Sequence, residues 1–377
     1  LINPADPSLG SERLSSDTTW YQEGAKIQNE FQFAANHLTT IESDFEQCYD
    51  GEDKDKRIRI KGGGLQHQWQ IVPRLTLTGG LRYEDVNIWV SNSGITGKPP
   101  WIERQWDEWL PKSFLTYELD DLAAALRDTS LSFGVSRIWR APDYHGDYNP
   151  QGRSAGAWLD PEHGVGVDTV FIRRLWNDIN MKLAYSYYEI KDYIASNSTY
   201  ANFTPSPRNP VPPGMEFMDY KINLEKVIRQ GVELEFSGDL MRDLSFYLGY
   251  AYSDLDSKGD EPAGVREASN RSKHRVNAGL RYDLFENTTL LLDYKYQDEQ
   301  ISEITEELAE DVWVIREVAI DSFHLVDFGI RQNLFQQWGP LSNGVLRLFV
   351  NNVFDETYTD SSGYPATDRT FGIGFSF

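Results

Sequence analysis

Few residues of this chain are spaced for chemistry. The six histidines, His37, His67, His145, His163, His274 and His324, are scattered, and none stands in an HxxxH or HExxH spacing. No metal site and no cofactor are expected. Glu233 and Glu235 share one face of a strand, about 7 Å apart by strand rise. Carboxylates at that separation suit acid–base work, and acids facing a wet interior read the same way. No phosphate-cradling glycine loop is present, so the chain itself does not hydrolyse nucleotides. Cys48 is the only cysteine, which excludes an internal disulfide. It reads as a loop residue, with pairing to a cysteine elsewhere as the alternative.

Binding is better provided for than catalysis. Residues 141–160 hold Tyr144, His145, Tyr148, Arg153 and Trp158 among Gly, Pro and Asn. Residues 197–221 hold Tyr200, Phe203, Arg208, Phe217 and Tyr220. Aromatic loops of this kind suit a bulky ligand, or they pack only their own loop. Residues 298–321 are rich in Asp and Glu and carry one base, Arg316. They are a solvated acidic loop or, alternatively, oxygen ligands for a divalent cation.

The elements that must position these loops have a period of two. Leu75, Leu77, Leu81 and Tyr83 oppose Thr76, Thr78, Gly80 and Arg82. Leu244, Phe246, Leu248, Tyr250 and Tyr252 oppose Ser245, Tyr247, Gly249, Ala251 and Ser253. The same alternation recurs at 179–187, 232–236 and 276–283, and it specifies strands with one apolar and one polar face. Very short connections (72–74, 174–177, 239–242, 284–287) alternate with long ones (88–108, 140–162, 191–225, 254–272, 299–321, 355–368). An up-and-down barrel sorts its loops to two rims in this way, whereas a soluble sandwich has no reason to. The polar face is wet rather than packed, and Tyr83, Tyr187, Tyr252, Tyr282 and Tyr296 sit at strand ends, where a membrane girdle would place them.

Composition agrees. Asp plus Glu number 58 against 36 Lys plus Arg, a net charge of −22, which argues against nucleic acid as a partner. Aromatics at 13% oppose disorder. No apolar run approaches the roughly 18 residues of a membrane helix, but a membrane strand needs only about 9–11. The expected fold is all-β, an antiparallel transmembrane β-barrel of roughly 14–16 strands. Residues 56–377 read as regular strands. Residues 1–55 are less legible: Ile27 to Ala35 is a candidate strand and Gln47 to Lys56 a charged loop. Gly62-Gly63-Gly64 are expected to mark a bulge or bend. No signal peptide opens the sequence, and Leu1-Ile2-Asn3-Pro4 reads as an interior segment.

Over about residues 65–377 the chain resembles the C-terminal barrel of TonB-dependent outer-membrane receptors. LQHQWQIVPRLTLTGGLRY (65–83) is similar to that family's strand, short turn and "LTLxxGLRY". SRIWRAP (136–142) resembles "GxxFRAP", QGVELEF (230–236) "xGVELE", and KHRVNAGLRY (273–282) "PxHxxNLxLxY" without the proline. NNVFDETY (351–358) resembles "xNLFDKxY", and Gly363-Tyr364-Pro365 followed by RTFGIGFSF (369–377) resembles "GYPxPGRTFxxGxSxxF", with Ala366-Thr367-Asp368 in place of the usual Pro-Gly.

The resemblance implies a 22-stranded barrel of which this chain is a part, with the plug domain and TonB box absent from it. It implies the outer membrane of a Gram-negative cell as location, and membrane lipid, the TonB complex (through the plug) and the barrel-assembly machinery as partners. It implies a metal chelate such as a ferric siderophore, or another scarce ligand, as cargo. Phe371, Ile373, Phe375 and the terminal Phe377 resemble the assembly signal. Tyr144, His145, Tyr148, Arg153, Trp158, Tyr200, Phe203, Arg208 and Tyr220 are the ligand-facing candidates. A passive porin is the alternative, followed by a soluble β-rich carbohydrate-binding protein.

Overall fold

The computed structural model describes residues 20–50, 57–91, 101–142, 159–197, 201–202, 221–259, 265–266, 271–309, 312–361 and 364–377. Fifteen strands form one continuous antiparallel path. In chain order they are β1 (Trp20–Ala34), β2 (His37–Asp50), β3 (Arg57–Val72), β4 (Leu75–Ser91), β5 (Trp101–Glu118), β6 (Thr129–Arg140), β7 (Glu162–Arg174) and β8 (Asn180–Asn197). After a two-residue β9 (Ala201–Asn202) come β10 (Lys221–Met241), β11 (Leu244–Lys258), a short β12 (Val265–Arg266), β13 (His274–Phe285) and β14 (Thr288–Gln297). The last group is β15 (Gln300–Ala309), β16 (Val312–Ile320), β17 (Phe323–Trp338), β18 (Leu341–Asn351), β19 (Thr359–Ser361), β20 (Tyr364–Pro365) and β21 (Thr370–Ser376). The path is β1-β2-β3-β4-β5-β6-β7-β8-β10-β11-β13-β14-β17-β18-β21, with β12 on the end of β8. Among the described residues β1 and β21 each have a hydrogen-bonded neighbour on one side only.

Every second connection is tight, except the ten residues 119–128 between β5 and β6. Pro73-Arg74, Arg242-Asp243, Glu286-Asn287 and Gly339-Pro340 are two-residue turns, and Ala35-Asn36 joins β1 to β2. Leu175–Ile179 turns through a single 3-10 turn in which Asp178 takes φ 58°. All of these tight turns lie on one rim and the long loops on the other, so the loop sorting read from the sequence holds but for the ten-residue connection 119–128, which shares the short-turn rim.

One face of the sheet is apolar and exposed: Ile27, Ile41, Leu65, Leu81, Phe133, Leu183, Leu248, Leu280, Phe328 and Leu348 all stand on it. An apolar face of this extent belongs against hydrocarbon. Toward the long-loop rim the apolar face stops at an aromatic, and an acid follows two residues on. Tyr83 precedes Asp85, Tyr187 precedes Glu189, Tyr252 precedes Asp254 and Tyr296 precedes Asp298. This ring sits where amphipathic side chains favour the boundary between lipid and water.

The strands run further than the sequence pattern indicated, because the inner face turns apolar beyond that ring. Val86 and Ile88 are 2% and 1% exposed and pack with Ile58, Ile60, Trp106 and Trp139. Ala195, Leu224 and Val227 form a second such cluster. Gly62-Gly63-Gly64 are not a bulge: β3 pairs in unbroken register with β2 and β4 through all three. The apparent change of phase is this inner switch from polar to apolar on a strand that does not slip. Cys48 lies in β2 opposite Gln22 and Ile58, not in a loop. Gln300–Ala309 and Val312–Ile320 are not an irregular loop either. They form a two-stranded ladder, β15 with β16, which also pairs with β9 and stands outside the fifteen-strand path.

Candidate functional site

The inner face is built of charges and hydroxyls, and glycines make room for them. Arg82 on β4 lies over Gly62 of β3, where a Cβ would fall 2.1 Å from Nη2. The guanidinium thereby crosses β3 and donates to both oxygens of Asp44 on β2, at 2.7 and 2.9 Å. It also donates to Glu42 at 3.3 Å and, through Nε, to Glu84 at 3.1 Å. Glu42 reaches back to Lys26 on β1 at 2.9 Å and passes over Gly64. One ionic chain thus spans four strands, and the two glycines are the lane it runs along. Beside it opens a hollow of about 380 Å³ lined by Glu30, Glu42, Arg82, Lys112 and Arg137 among others. Arg137 donates to Glu108 at 3.1 Å.

The same device recurs with aromatic rings. Tyr188 lies across Gly166 and donates its hydroxyl to Asp168 at 2.8 Å. The adjoining hollow of about 320 Å³ is lined by Asp168, Ser186, Tyr188, Arg229, Glu233 and Arg275. Tyr247 lies across Gly279 and donates to Asp293 at 2.7 Å. Phe114 covers Gly134 and Phe349 covers Gly372. A ring laid flat over a glycine on the neighbouring strand keeps the wall thin while shielding its backbone.

Glu233 and Glu235 face Lys182, whose ammonium lies 3.7 and 3.1 Å away. They are partners in an ionic group rather than an acid–base pair. Among the described residues no three His, Cys, Asp or Glu side chains converge to hold a metal ion. Below its apolar clusters, the inner face can form hydrogen bonds and ion pairs with a large polar body.

None of the nine loop candidates can be placed. Tyr144, His145, Tyr148, Arg153, Trp158, Tyr200, Phe203, Arg208 and Tyr220 lie outside the described residues. What the structure does give is the footing of their loops. Glu162, 7% exposed, accepts from Arg140 at 2.8 Å and from the Ile194 amide at 2.9 Å. Asn223 donates to the carbonyls of Asp160 at 2.9 Å and Asp192 at 2.6 Å, and accepts from the Asp160 amide at 2.8 Å. His163 lies 3.3 Å from Asp192. These residues were invisible to sequence reasoning, since each is a lone polar residue near a strand end and only the fold brings them together. On the same rim, a hydrogen bond to Asp254 at 2.8 Å holds the Lys273 ammonium's pKa above its ordinary value.

The closing segment explains its own motif. Asn352, at φ 53°, accepts from the Glu356 amide and donates to the Glu356 carbonyl, both at 2.8 Å. Its amide donates to Asp327 at 2.7 Å. Arg369 closes on Asp355 through its own amide at 2.9 Å and its guanidinium at 3.1 Å, and Tyr358 packs on Phe323 at 4.6 Å. NNVFDETY is therefore a clasp that delivers the chain to β21. On β21, Phe371, Ile373 and Phe375 share the apolar outer face and Gly372, Gly374 and Ser376 the inner one. Phe371, Ile373, Phe375 and the terminal Phe377 are all exposed.

Comparison with known proteins follows this geometry. The family model "TonB dependent receptor-like, beta-barrel" matches residues 3–353. The FrpB iron transporter from Neisseria meningitidis (F5-1 variant) superposes with a TM-score of 0.69 at 15% identity, over 94% of this chain and 55% of that one. The siderophore receptor PiuA from Acinetobacter baumannii gives 0.66 at 13%, over 94% and 56%. The copper transporter OprC gives 0.67 at 17%, over 93% and 56%. The chain thus spans about half the length of the solved structures it matches. No curated protein matches it by sequence. The alternating wall, the sorted loops and the family match lead to one assignment: the chain belongs to the TonB-dependent receptor β-barrel family, and its strands are the wall of an outer-membrane barrel of a Gram-negative cell.

Proposed function

We propose that this wall belongs to a transporter importing a large, scarce ligand, a ferric siderophore or similar metal chelate, with energy delivered by TonB through a plug domain. The observation that carries the reading is the contrast between the two faces. The outer face is apolar and ends in an aromatic ring. The inner face, between the short turns and its apolar clusters, is charged, hydroxylated and cleared by glycines. A wall of that kind accommodates a polar body moving past it. Capture falls to the long-loop rim, where the two aromatic loops rise from the Glu162 and Asn223 anchors. There we assign ligand contact to Tyr144, His145, Tyr148, Arg153, Trp158, Tyr200, Phe203, Arg208 and Tyr220. The exposed apolar face of β21, ending on Phe377, serves as the signal for barrel assembly.

Iron chelates are favoured over copper because iron and siderophore proteins recur among the structural neighbours, at low identity. A deletion strain tested for growth on a panel of ferric chelates, copper, cobalamin and glycans under limitation decides the matter. Loss of growth on one iron chelate, restored by the intact gene but not in a strain lacking TonB, is the expected outcome. Unchanged uptake of every compound would overturn the reading, and uptake independent of TonB would point to a passive channel.

A further inference from the structure

Two histidines meet on the outer face of the wall, where polar groups are otherwise sparse. His37 opens β2 directly after the Ala35-Asn36 turn, and His67 lies on β3. The outer-face residues around them are Phe31, Leu65 and Trp69. Trp69 stacks on the His37 ring at 5.8 Å and 12°, a placement that suits the lipid–water boundary on the short-turn rim.

The two rings stack at 5.2 Å and 28° and share a hydrogen bond, and the spacing of their facing nitrogens also fits two ligands of one ion. His37 Nδ1 and His67 Nε2 stand 3.1 Å apart. Two imidazole nitrogens bound to one ion at about 2.0–2.1 Å, at 90–110°, stand about 2.9–3.4 Å apart. The other nitrogen of His67, Nδ1, lies 2.8 Å from the hydroxyl of Thr39, which is 7% exposed. A proton on Nδ1 donated to that hydroxyl leaves the Nε2 lone pair aimed at His37, which is how an outer hydrogen bond fixes the tautomer of a metal ligand. With that tautomer of His67 and no ion bound, His37 Nδ1–H is the donor to His67 Nε2. Binding requires only that His37 move its proton to Nε2.

We propose that His37 and His67 form a site for a divalent transition-metal ion of the imidazole-binding class, Cu2+, Zn2+ or Ni2+ rather than Ca2+ or Mg2+. Thr39 is its positioning residue. Water fills the remaining ligand positions, and the bound ion staples β2 to β3 outside the backbone ladder. The site is independent of the transported cargo, since it lies on the outer face at the lipid–water boundary and not in the lumen.

The test uses the full-length receptor in detergent, stripped with EDTA and titrated with Cu2+. Electron spin resonance should show a Cu2+ signal with two imidazole nitrogens, and His37→Ala with His67→Ala should remove one equivalent carrying that signal. Thr39→Val should keep the stoichiometry and weaken binding 10-fold or more. Heat-modifiable gel migration verifies that each barrel is folded, and His37→Gln replaces the double variant should that fail to assemble. An unchanged Cu2+ count and an unchanged imidazole signal in the folded variant would overturn the proposal and leave an ordinary hydrogen-bonded pair.

Discussion

Arg82 shows how one residue depends on what its neighbours lack. Its guanidinium serves three carboxylates, and it reaches two of them only because Gly62 has no side chain. Removing it leaves Glu42, Asp44 and Glu84 close together with Lys26 as the nearest remaining cation. We expect Arg82→Ala to destabilise the folded barrel by about 1–2 kcal/mol, the partial exposure of the group reducing the cost of a fully buried pair. Arg82→Lys should recover little, since an ammonium cannot present the planar fork. Urea titration of the refolded receptor in vesicles measures both. The glycines rank in the same way. A Cβ on Gly164 would fall 1.9 Å from the carbonyl oxygen of Glu189, which is backbone and cannot swing aside, while one on Gly79 meets nothing within 4 Å. Gly164→Ala should therefore cost about 1–3 kcal/mol and Gly79→Ala almost nothing in the same titration.

Strands are the scale at which the sequence was most legible. Period-two alternation identified both faces of β4, β8, β10, β11 and β13, because a wall between lipid and water repeats one contrast at every step. It failed where the contrast itself changes. Ile58 and Ile60 of β3 point inward into the Val86 cluster, so their apolar character implied a slip at Gly62-Gly63-Gly64 that the register does not contain. It failed again at β15 and β16, where a run of acids hid the strand propensity of Val312, Trp313, Val314 and Ile315. The loop anchors Glu162 and Asn223 had no local signature at all. The two faces also set the cost of charge. Phe133 and Ser132 are neighbours on β6 with opposite outlooks. Phe133→Arg should cost roughly 2–4 kcal/mol in refolding titrations, and Ser132→Arg markedly less, because the second guanidinium stays in water.

At the scale of the whole molecule the family resemblance, the fold and the location were legible because many weak motifs occurred in order. The ligand was not, since specificity lies in loop shape that alternation does not encode. Orientation is open to direct measurement. Glu299 stands on the long-loop rim and Asp243 in a two-residue turn on the opposite rim, and both are exposed. With Cys48 replaced by serine, Glu299→Cys should react with a membrane-impermeant maleimide on intact cells, and Asp243→Cys only after the outer membrane is broken. The reverse pattern would invert the barrel.

The sorting of connections also sets how the wall comes apart under load. β10 and β11 are joined by two residues, as are β13 and β14, and β17 and β18. A tight turn transmits tension at once, while a long connection pays out slack before its strand feels the pull. Drawn from the C-terminus by a cantilever tip, β21 should leave first and alone. The remaining wall should then peel in paired steps, β18 with β17 and β14 with β13, each pair a mechanical unit whose length is set by its strands and whose separation from the next is set by the loop between.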